Sequence, residues 1–409
     1  MIFTTVKNTL LLWVFLGISC GKGVNTDTDK STPALQPAEE KTVTAGANST
    51  GDYIPLLTHK KVGIVANATS VIRSPEKSYV HVVDSLLALN IALTKVFAPE
   101  HGFRGTADAG EVIKDGTDPK TGLPIISLYG NNKKPTETQL ADLDIVIFDL
   151  QDVGARFYTY ISTLHYVMEA CAEAGIPLMV LDRPNPNGHY VDGPVLHPEY
   201  RSFVGMHPVP VVHGMTIGEY AQMINGEGWL ESGKQCELTV IPVKNYDHNT
   251  AYSLPVKPSP NLPNDKAVNL YPSLCFFEGT NVSAGRGTDK QFQIYGAPSL
   301  PEGGFKFVPE PNEGARHPKH EGKTCYGEDL RTTERLDRIR LGWLIKAYEN
   351  TADKARFFNS FFDKLAGNPE LQRQIKSGMS GEDIRKSWET GLEAFKKIRK
   401  KYLIYDDTL

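Results

Sequence analysis

The sequence carries no Gly-x-Gly-x-x-Gly after its first apolar strand pattern, where Ala66 to Ser70 read Ala-Asn-Ala-Thr-Ser. Nothing there brings a pyrophosphate against a helix start, which excludes a nicotinamide cofactor. The Gly-x-x-x-x-Gly-Lys-Ser/Thr cradle of nucleotide hydrolases and the Gly-x-Ser-x-Gly elbow of serine hydrolases are also missing. Metal-ligand spacing is absent: no His-x-x-x-His occurs, and the five cysteines (Cys20, Cys171, Cys236, Cys275 and Cys325) are too far apart for a zinc site. Positive charge is not in excess, since 44 Lys and Arg face 48 Asp and Glu for a net charge of -4. That balance excludes an electrostatic grip on nucleic acid or on an anionic lipid surface.

Long hydrophobic runs are equally scarce, and the one at the start is short. Lys7 precedes an apolar stretch from Leu10 to Ile18, which ends in small residues at Cys20. This is the pattern of a secretory signal, and Leu-x-x-x-Cys resembles a bacterial lipoprotein signal with Cys20 as the lipidated residue. Residues 21–52 are rich in Thr, Asp, Ala, Pro and Lys and read as a disordered tether. The expected location is therefore exported and membrane-anchored, periplasmic or outer-membrane, with the membrane touched only through the lipid.

At 409 residues the chain is long enough for two domains. Apolar strand patterns at Lys61–Asn67, Thr94–Ala98, Leu123–Tyr129, Asp144–Asp149 and Pro177–Asp182 alternate with helical patterns near Val80–Leu89 and Ile161–Ala174. Continuous apolar strands separated by helices predict a parallel sheet covered on both faces, hence a Rossmann-like, doubly wound α/β domain. Lys257-Pro-Ser-Pro-Asn-Leu-Pro263 reads as a stiff extended linker. The expected division is a signal over 1–20, the tether over 21–52, the Rossmann-like domain over 53–260 and a smaller α+β domain over 261–409.

In such sheets ligands bind beyond the carboxyl ends of strands. The run Thr94 to Ala98 breaks into Pro-Glu-His-Gly-Phe-Arg, so Glu100 is the first candidate acid or base, with His101 and Arg104 beside it. A second apolar run, Leu274 to Phe277, reads as a strand stopping at Glu278, followed by Asn281, Ser283 and Arg286 among glycines. The densest polar strand end is Phe148 to Tyr160, with Asp149, Gln151, Asp152, Arg156, Tyr158 and Tyr160. Asp149 and Asp152 either pair with Arg156 and pin the loop or contact substrate directly. Tyr129, Tyr158 and Tyr160 offer flat amphipathic faces of the kind that stack on sugars. Asp182 and Arg183 read as a local ion pair, and Thr216 with Glu219 as a capping box.

Taken together, Phe97–Gly105, Phe148–Tyr160, Leu181–Pro186, Pro258-Ser-Pro-Asn261, Phe277–Asn281, Gly285–Thr288 and Arg399–Tyr405 resemble the DUF1343 family, whose characterised members are exo-β-N-acetylmuramidases of the NamZ type. The resemblance implies a Rossmann-like first domain, a smaller second domain with an active-site cleft between them, and no cofactor. It also implies release of terminal N-acetylmuramic acid from the non-reducing end of peptidoglycan fragments, muropeptides or MurNAc-GlcNAc units. Glu100 and Glu278 carry over as catalytic residues. His101, Arg104, Tyr129, Asp149, Asp152, Arg156, Tyr158, Asn261, Asn281 and Arg286 are the expected substrate contacts.

Glycosidases commonly set a protonated carboxyl against an ionised one, and Glu100 as acid with Glu278 as partner is the expected pairing. Arg104, Arg156 or Arg286 would hold the lactyl carboxylate. Assistance by the substrate's own acetamido group is the alternative within the class. Two others lie outside it: a metal-dependent hydrolase using His101, Asp149, Asp152 and His213, and a non-catalytic lipoprotein that binds cell-wall glycan.

Overall fold

The parallel strands of the central sheet lie in the doubly wound order. The computed structural model describes residues 42–74, 76, 78–104 and 115–408. Its strands are β1 Val62–Ala66, β2 Val71–Arg73, β3 Tyr79–His81, β4 Leu93–Ala98, β5 Gly116–Thr117, β6 Pro124–Ser127, β7 Ile145–Asp149, β8 Leu178–Leu181, β9 Leu238–Ile241, β10 Ile294–Ala297, β11 Phe305–Phe307 and β12 Cys325–Asp329. Its α-helices are α1 Thr50–Leu57, α2 Val82–Ala88, α3 Glu137–Leu140, α4 Tyr160–Ala174, α5 Ile217–Gly226, α6 Asp265–Leu274, α7 Leu341–Asn350, α8 Phe362–Ala366, α9 Glu370–Lys376 and α10 Gly381–Arg399. The large sheet runs β5-β6-β4-β1-β7-β8-β9, and all its pairings are parallel except β5 with β6. Leaving out β5, the order by position in the chain is third, second, first, fourth, fifth, sixth, which is the Rossmann arrangement.

The central strands form because their side chains are apolar on both faces. Every residue of β1, β7 and β8 is buried, as a sheet covered by helices on both sides requires. Helix α4 ends at Gly175, whose φ of 67° makes the left-handed cap that L residues resist. Helix α5 begins with the expected capping box: the Thr216 hydroxyl accepts from Glu219 N, and Glu219 accepts from Thr216 N at 2.9 Å. Beyond the large sheet, β10-β12-β11 form a smaller antiparallel sheet in the C-terminal half of the chain, which also carries α6 to α10. Residues 42–408 pack as one compact unit whose main apolar cluster runs from Val65 and Phe97 to Trp388 and Phe395.

Three expectations change. Residues 1–41, with the signal, Cys20 and most of the tether, lie outside the described residues, but residues 42–52 are not a tether. Thr44 bridges Lys244, Gly46 N donates to Asp182 O at 2.8 Å, and Ala47 and Tyr53 are buried. A Cβ on Gly46 would sit 2.2 Å from Ile241 O, so this segment lies backbone to backbone against β9.

The stretch 257–263 is not an extended linker but a packed turn, in which Leu262 N donates to Ser259 O at 3.1 Å. Pro258 O accepts the Tyr158 hydroxyl at 2.7 Å, and Asn261 and Leu262 are buried. The run ending at Glu278 is not a strand either. Asn264 caps α6, and Cys275–Gly279 continues it as a 3-10 turn. Short apolar runs fit a buried helix as well as a strand, and the cap decided this one.

Candidate active site

Strand β4 ends at Ala98, and the chain reverses at once. Gly102 N donates to Pro99 O at 3.0 Å, with His101 at φ 71° and Gly102 at φ 77°. A left-handed histidine is uncommon, and residues held this way concentrate at functional sites. The turn puts Glu100 and His101 into a pocket of about 290 Å³. Its other walls are Tyr129 beyond β6, Phe157 to Tyr160 leading into α4, Phe203 and Val204, Ser259 to Leu262, Tyr271 of α6, Glu278, Arg286, Phe292 and Phe361. The pocket thus gathers loops at the carboxyl end of the parallel sheet and closes them with the C-terminal half.

The two carboxyl groups have different surroundings. One Glu100 oxygen accepts the Thr159 hydroxyl at 2.7 Å, and its backbone carbonyl lies 3.4 Å from the Tyr160 hydroxyl. Burial, with the charge of Glu100 and a hydrogen bond to it, pushes the Tyr129 phenol above its ordinary range. Burial does the same to Tyr158 and Tyr160, so the pocket presents neutral phenols. Glu278 instead receives the Arg286 guanidinium at 2.9 Å, and both side chains are about a quarter exposed. Arg286 also donates to Gly314 O at 3.2 Å, the same carbonyl that Asn261 grips at 2.6 Å.

Of the expected site residues, Glu100, His101, Tyr129, Tyr158, Asn261, Glu278 and Arg286 line the pocket. Five do not. Arg104 turns to Asp118 at 2.7 Å and Asp84 at 3.3 Å; it holds Asp118 below its usual range, and against the effect of burial Lys120 together with Arg104 does the same for Asp84. Asp149 is fully buried against Arg183 at 2.6 Å, so that pair, rather than Asp149 with Arg156, fills the switch point of the sheet. Asp182, expected to pair with Arg183, caps α5 instead through Thr216 and Gly218.

Asp152 accepts Gly154 N at 2.7 Å and lies 3.6 Å from His213. Arg156 is wholly buried and donates to four carbonyls, of Pro194, Val209, Leu365 and Ala366. Asn281 is held through its backbone by Phe357 and His320. A buried charge needs partners, and Asp149, Asp152 and Arg156 each found structural ones.

Thr159, Phe203, Val204, Tyr271, Phe292 and Phe361 were not anticipated. Thr159 sits inside the quoted run Phe148 to Tyr160. The aromatic residues come from distant segments that carry no polar signal. Among the described residues, the one group of three side chains close enough to share an ion is Glu169, Glu173 and Glu231. Lys134 already bridges Glu169 and Glu173. The four ligands of the metal alternative do not converge: His101 is in the pocket, while Asp149 is paired with Arg183. Cys171, Cys236, Cys275 and Cys325 are buried and form no disulfide with one another.

A doubly wound sheet with a two-carboxyl pocket at its carboxyl edge is a scaffold for hydrolytic chemistry on a polar ligand. Residues 62–266 match the family model described as exo-beta-N-acetylmuramidase NamZ, N-terminal, and residues 269–405 match its C-terminal counterpart. The chain belongs to this NamZ-type DUF1343 family and is a glycoside hydrolase. It is 43% identical over 382 residues to the peptidoglycan beta-N-acetylmuramidase NamZ of Bacillus subtilis, covering 87% of this chain and 89% of that protein. Two DUF1343 family proteins from Bacteroides fragilis have similar crystal structures. One gives a TM-score of 0.83 at 45% identity over 90% of this chain and all of the other. The second gives 0.75 at 28% identity over 89% and 99%.

Proposed function

We propose that the protein removes terminal N-acetylmuramic acid from the non-reducing end of peptidoglycan fragments, with Glu100 as general acid/base and Glu278 as the second carboxylate. The observation that carries the reading is the pocket itself. Two glutamates from separate halves of the chain line a space at the lower edge of the roughly 300–1,000 Å³ usual for small-ligand sites. Such a pocket suits one amino sugar rather than a long glycan, which favours exo action. The activity of the Bacillus subtilis relative supports the substrate.

In this reading Glu100 gives its proton to the leaving glycosidic oxygen as positive charge develops on the sugar ring. Thr159 and Tyr129, both on Glu100, hold the carboxyl in place for that transfer. Glu278 faces the charged ring, either directly or by activating water. Of the three arginines expected for the lactyl carboxylate, Arg286 lines the pocket, where it is also paired with Glu278, while Arg104 and Arg156 are engaged elsewhere. Tyr129, Tyr158 and Phe203 offer apolar faces to the sugar.

Cys20 as the lipid anchor of an exported protein completes the proposal. It would keep the enzyme beside the polymer it trims. The direct test is incubation with a muramyl-β-1,4-N-acetylglucosamine disaccharide and with longer fragments. Free muramic sugar from the non-reducing end is the expected product, and release from chain interiors contradicts exo action.

A further inference from the structure

The loop that carries Glu278 has every carbonyl from 277 to 282 held by a side chain or backbone from elsewhere. Phe277 O, Thr280 O and Val282 O all accept from the Lys319 ammonium, at 3.0, 2.5 and 3.1 Å. Glu278 O accepts Asn359 Nδ2 at 3.2 Å, and Gly279 O accepts Asn359 N at 3.0 Å. Asn281 O takes the remaining contact, from His320 Nε2 at 2.6 Å. Six consecutive acceptors therefore converge on three residues, and Lys319 alone takes half of them. Among the described residues no carboxylate is hydrogen-bonded to Lys319. An ammonium has three N–H donors, and all three are used on one loop.

The same short segment also supports the partner of Glu278. Pro318 packs so closely on Gly287 that a Cβ there would lie 2.5 Å from it, and Gly287 follows Arg286. His320 completes the turn in the left-handed region, at φ 65°. Residues 318–320 thus brace both sides of the Glu278–Arg286 pair without lining the pocket themselves.

We propose that Lys319 is a positioning residue for Glu278, its ammonium drawing three carbonyls of the 277–282 loop together so that the Glu278–Arg286 pair is presented to the bound sugar. The inference rests on the reading of Glu278 as a working carboxylate. It follows that only the charged form serves. A neutral amine has two donors, so deprotonation releases one of the three carbonyls. The groups facing Lys319 are Glu278, which favours its charge, and Arg286 and neighbouring His320, which do not. Burial is the larger influence and lowers Lys319 to about 8.

The test compares wild type, Lys319→Met, Lys319→Arg and Glu278→Gln on the muramyl disaccharide, reading kcat and KM across pH 6 to 10. Displacement of a catalytic group by about 1 Å costs on the order of 100-fold. Lys319→Met is expected to lose kcat on that scale, with a smaller rise in KM from the displaced Arg286. In wild type kcat should decline above about pH 8, whereas Lys319→Arg, permanently charged, should keep its activity to higher pH. Wild-type kcat in Lys319→Met, or an alkaline limb that does not move in Lys319→Arg, overturns the proposal; the second readout stands even where Lys319→Met fails to fold. If Glu278→Gln is inactive while Lys319→Met is not, positioning alone is wrong. If Glu278→Gln keeps full activity, the reading of Glu278 itself has failed.

Discussion

Glu100 and Thr159 meet although 59 residues separate them, and their hydrogen bond holds the candidate acid in the pocket. A general acid contributes about 10²–10⁴-fold, so Glu100→Gln should lose turnover on that scale. Binding of the muramyl sugar, followed by calorimetric titration, should persist. Turnover equal to wild type would remove Glu100 from the mechanism. Arg156 makes the opposite prediction. Its guanidinium joins Pro194 and Val209 to Leu365 and Ala366 and does not line the pocket. Each buried acceptor left without a donor costs about 1–3 kcal/mol, so Arg156→Met should lose more than about 3 kcal/mol in urea unfolding. The folded fraction should turn over normally, whereas a raised KM would return Arg156 to the substrate. The sequence pattern made Glu100 stand out because it follows an apolar strand. It could not separate Arg156 from Arg286, because both are arginines in polar loops and only their partners differ.

Between α4 and α5 lies a run of buried polar side chains that the site does not use. His165 Nδ1 and His207 Nε2 are 3.0 Å apart, His207 Nδ1 is 3.0 Å from the Tyr220 hydroxyl, and the His207 ring stacks on Trp229. Arg201 reaches His165 at 3.2 Å, anchoring the turn that carries Phe203 to the pocket. Burial lowers His165 to about 4, despite the attraction of Glu169, and lowers His207 as well. A depressed histidine contributes stability that is complete above the ordinary pKa near 6.5. It is lost as pH falls toward 4, because the unfolded chain takes up a proton that the folded one refuses. Each histidine contributes a slope of at most about 1.4 kcal/mol per pH unit. Thermal midpoints should therefore fall from pH 6.5 to 4, and the His165→Gln/His207→Gln variant should show a flatter curve. Equal slopes would show that these rings do not set acid sensitivity. At this scale α4 and the capping box of α5 were readable from periodicity and spacing. Strand β9 and helix α9 were not, because short mixed segments have little period to read.

The C-terminal residues fasten back onto the end of β8, the start of α5 and the segment after β9. The Tyr405 hydroxyl donates to Asp182 at 2.6 Å and accepts Val243 N at 2.8 Å. Arg399 is paired with Asp407 and also grips Gly214 O. Ile404 N reaches Glu219 at 2.9 Å, whose carboxylate also takes His248 at 3.0 Å. Tyr405→Phe leaves the buried Asp182 short of a donor and should cost about 1–3 kcal/mol, read as a lower urea midpoint with an unchanged slope. An unchanged midpoint would mean that Asp182 is satisfied by Thr216 and Gly218 alone.

The sequence by itself determined the parallel sheet, since β1, β7 and β8 are apolar on both faces and have no other stable use. It also determined where the chain turns polar, at Glu100 and Glu278. Which polar residues share a pocket was decided only by the tertiary structure. Arg104, Asp149, Asp152 and Arg156 were withdrawn into contacts within the protein, and Phe203, Tyr271 and Phe361 were brought in. Period and composition report how much of a segment is buried, whereas the partner of a buried charge depends on the register of strands and loops distant in the chain.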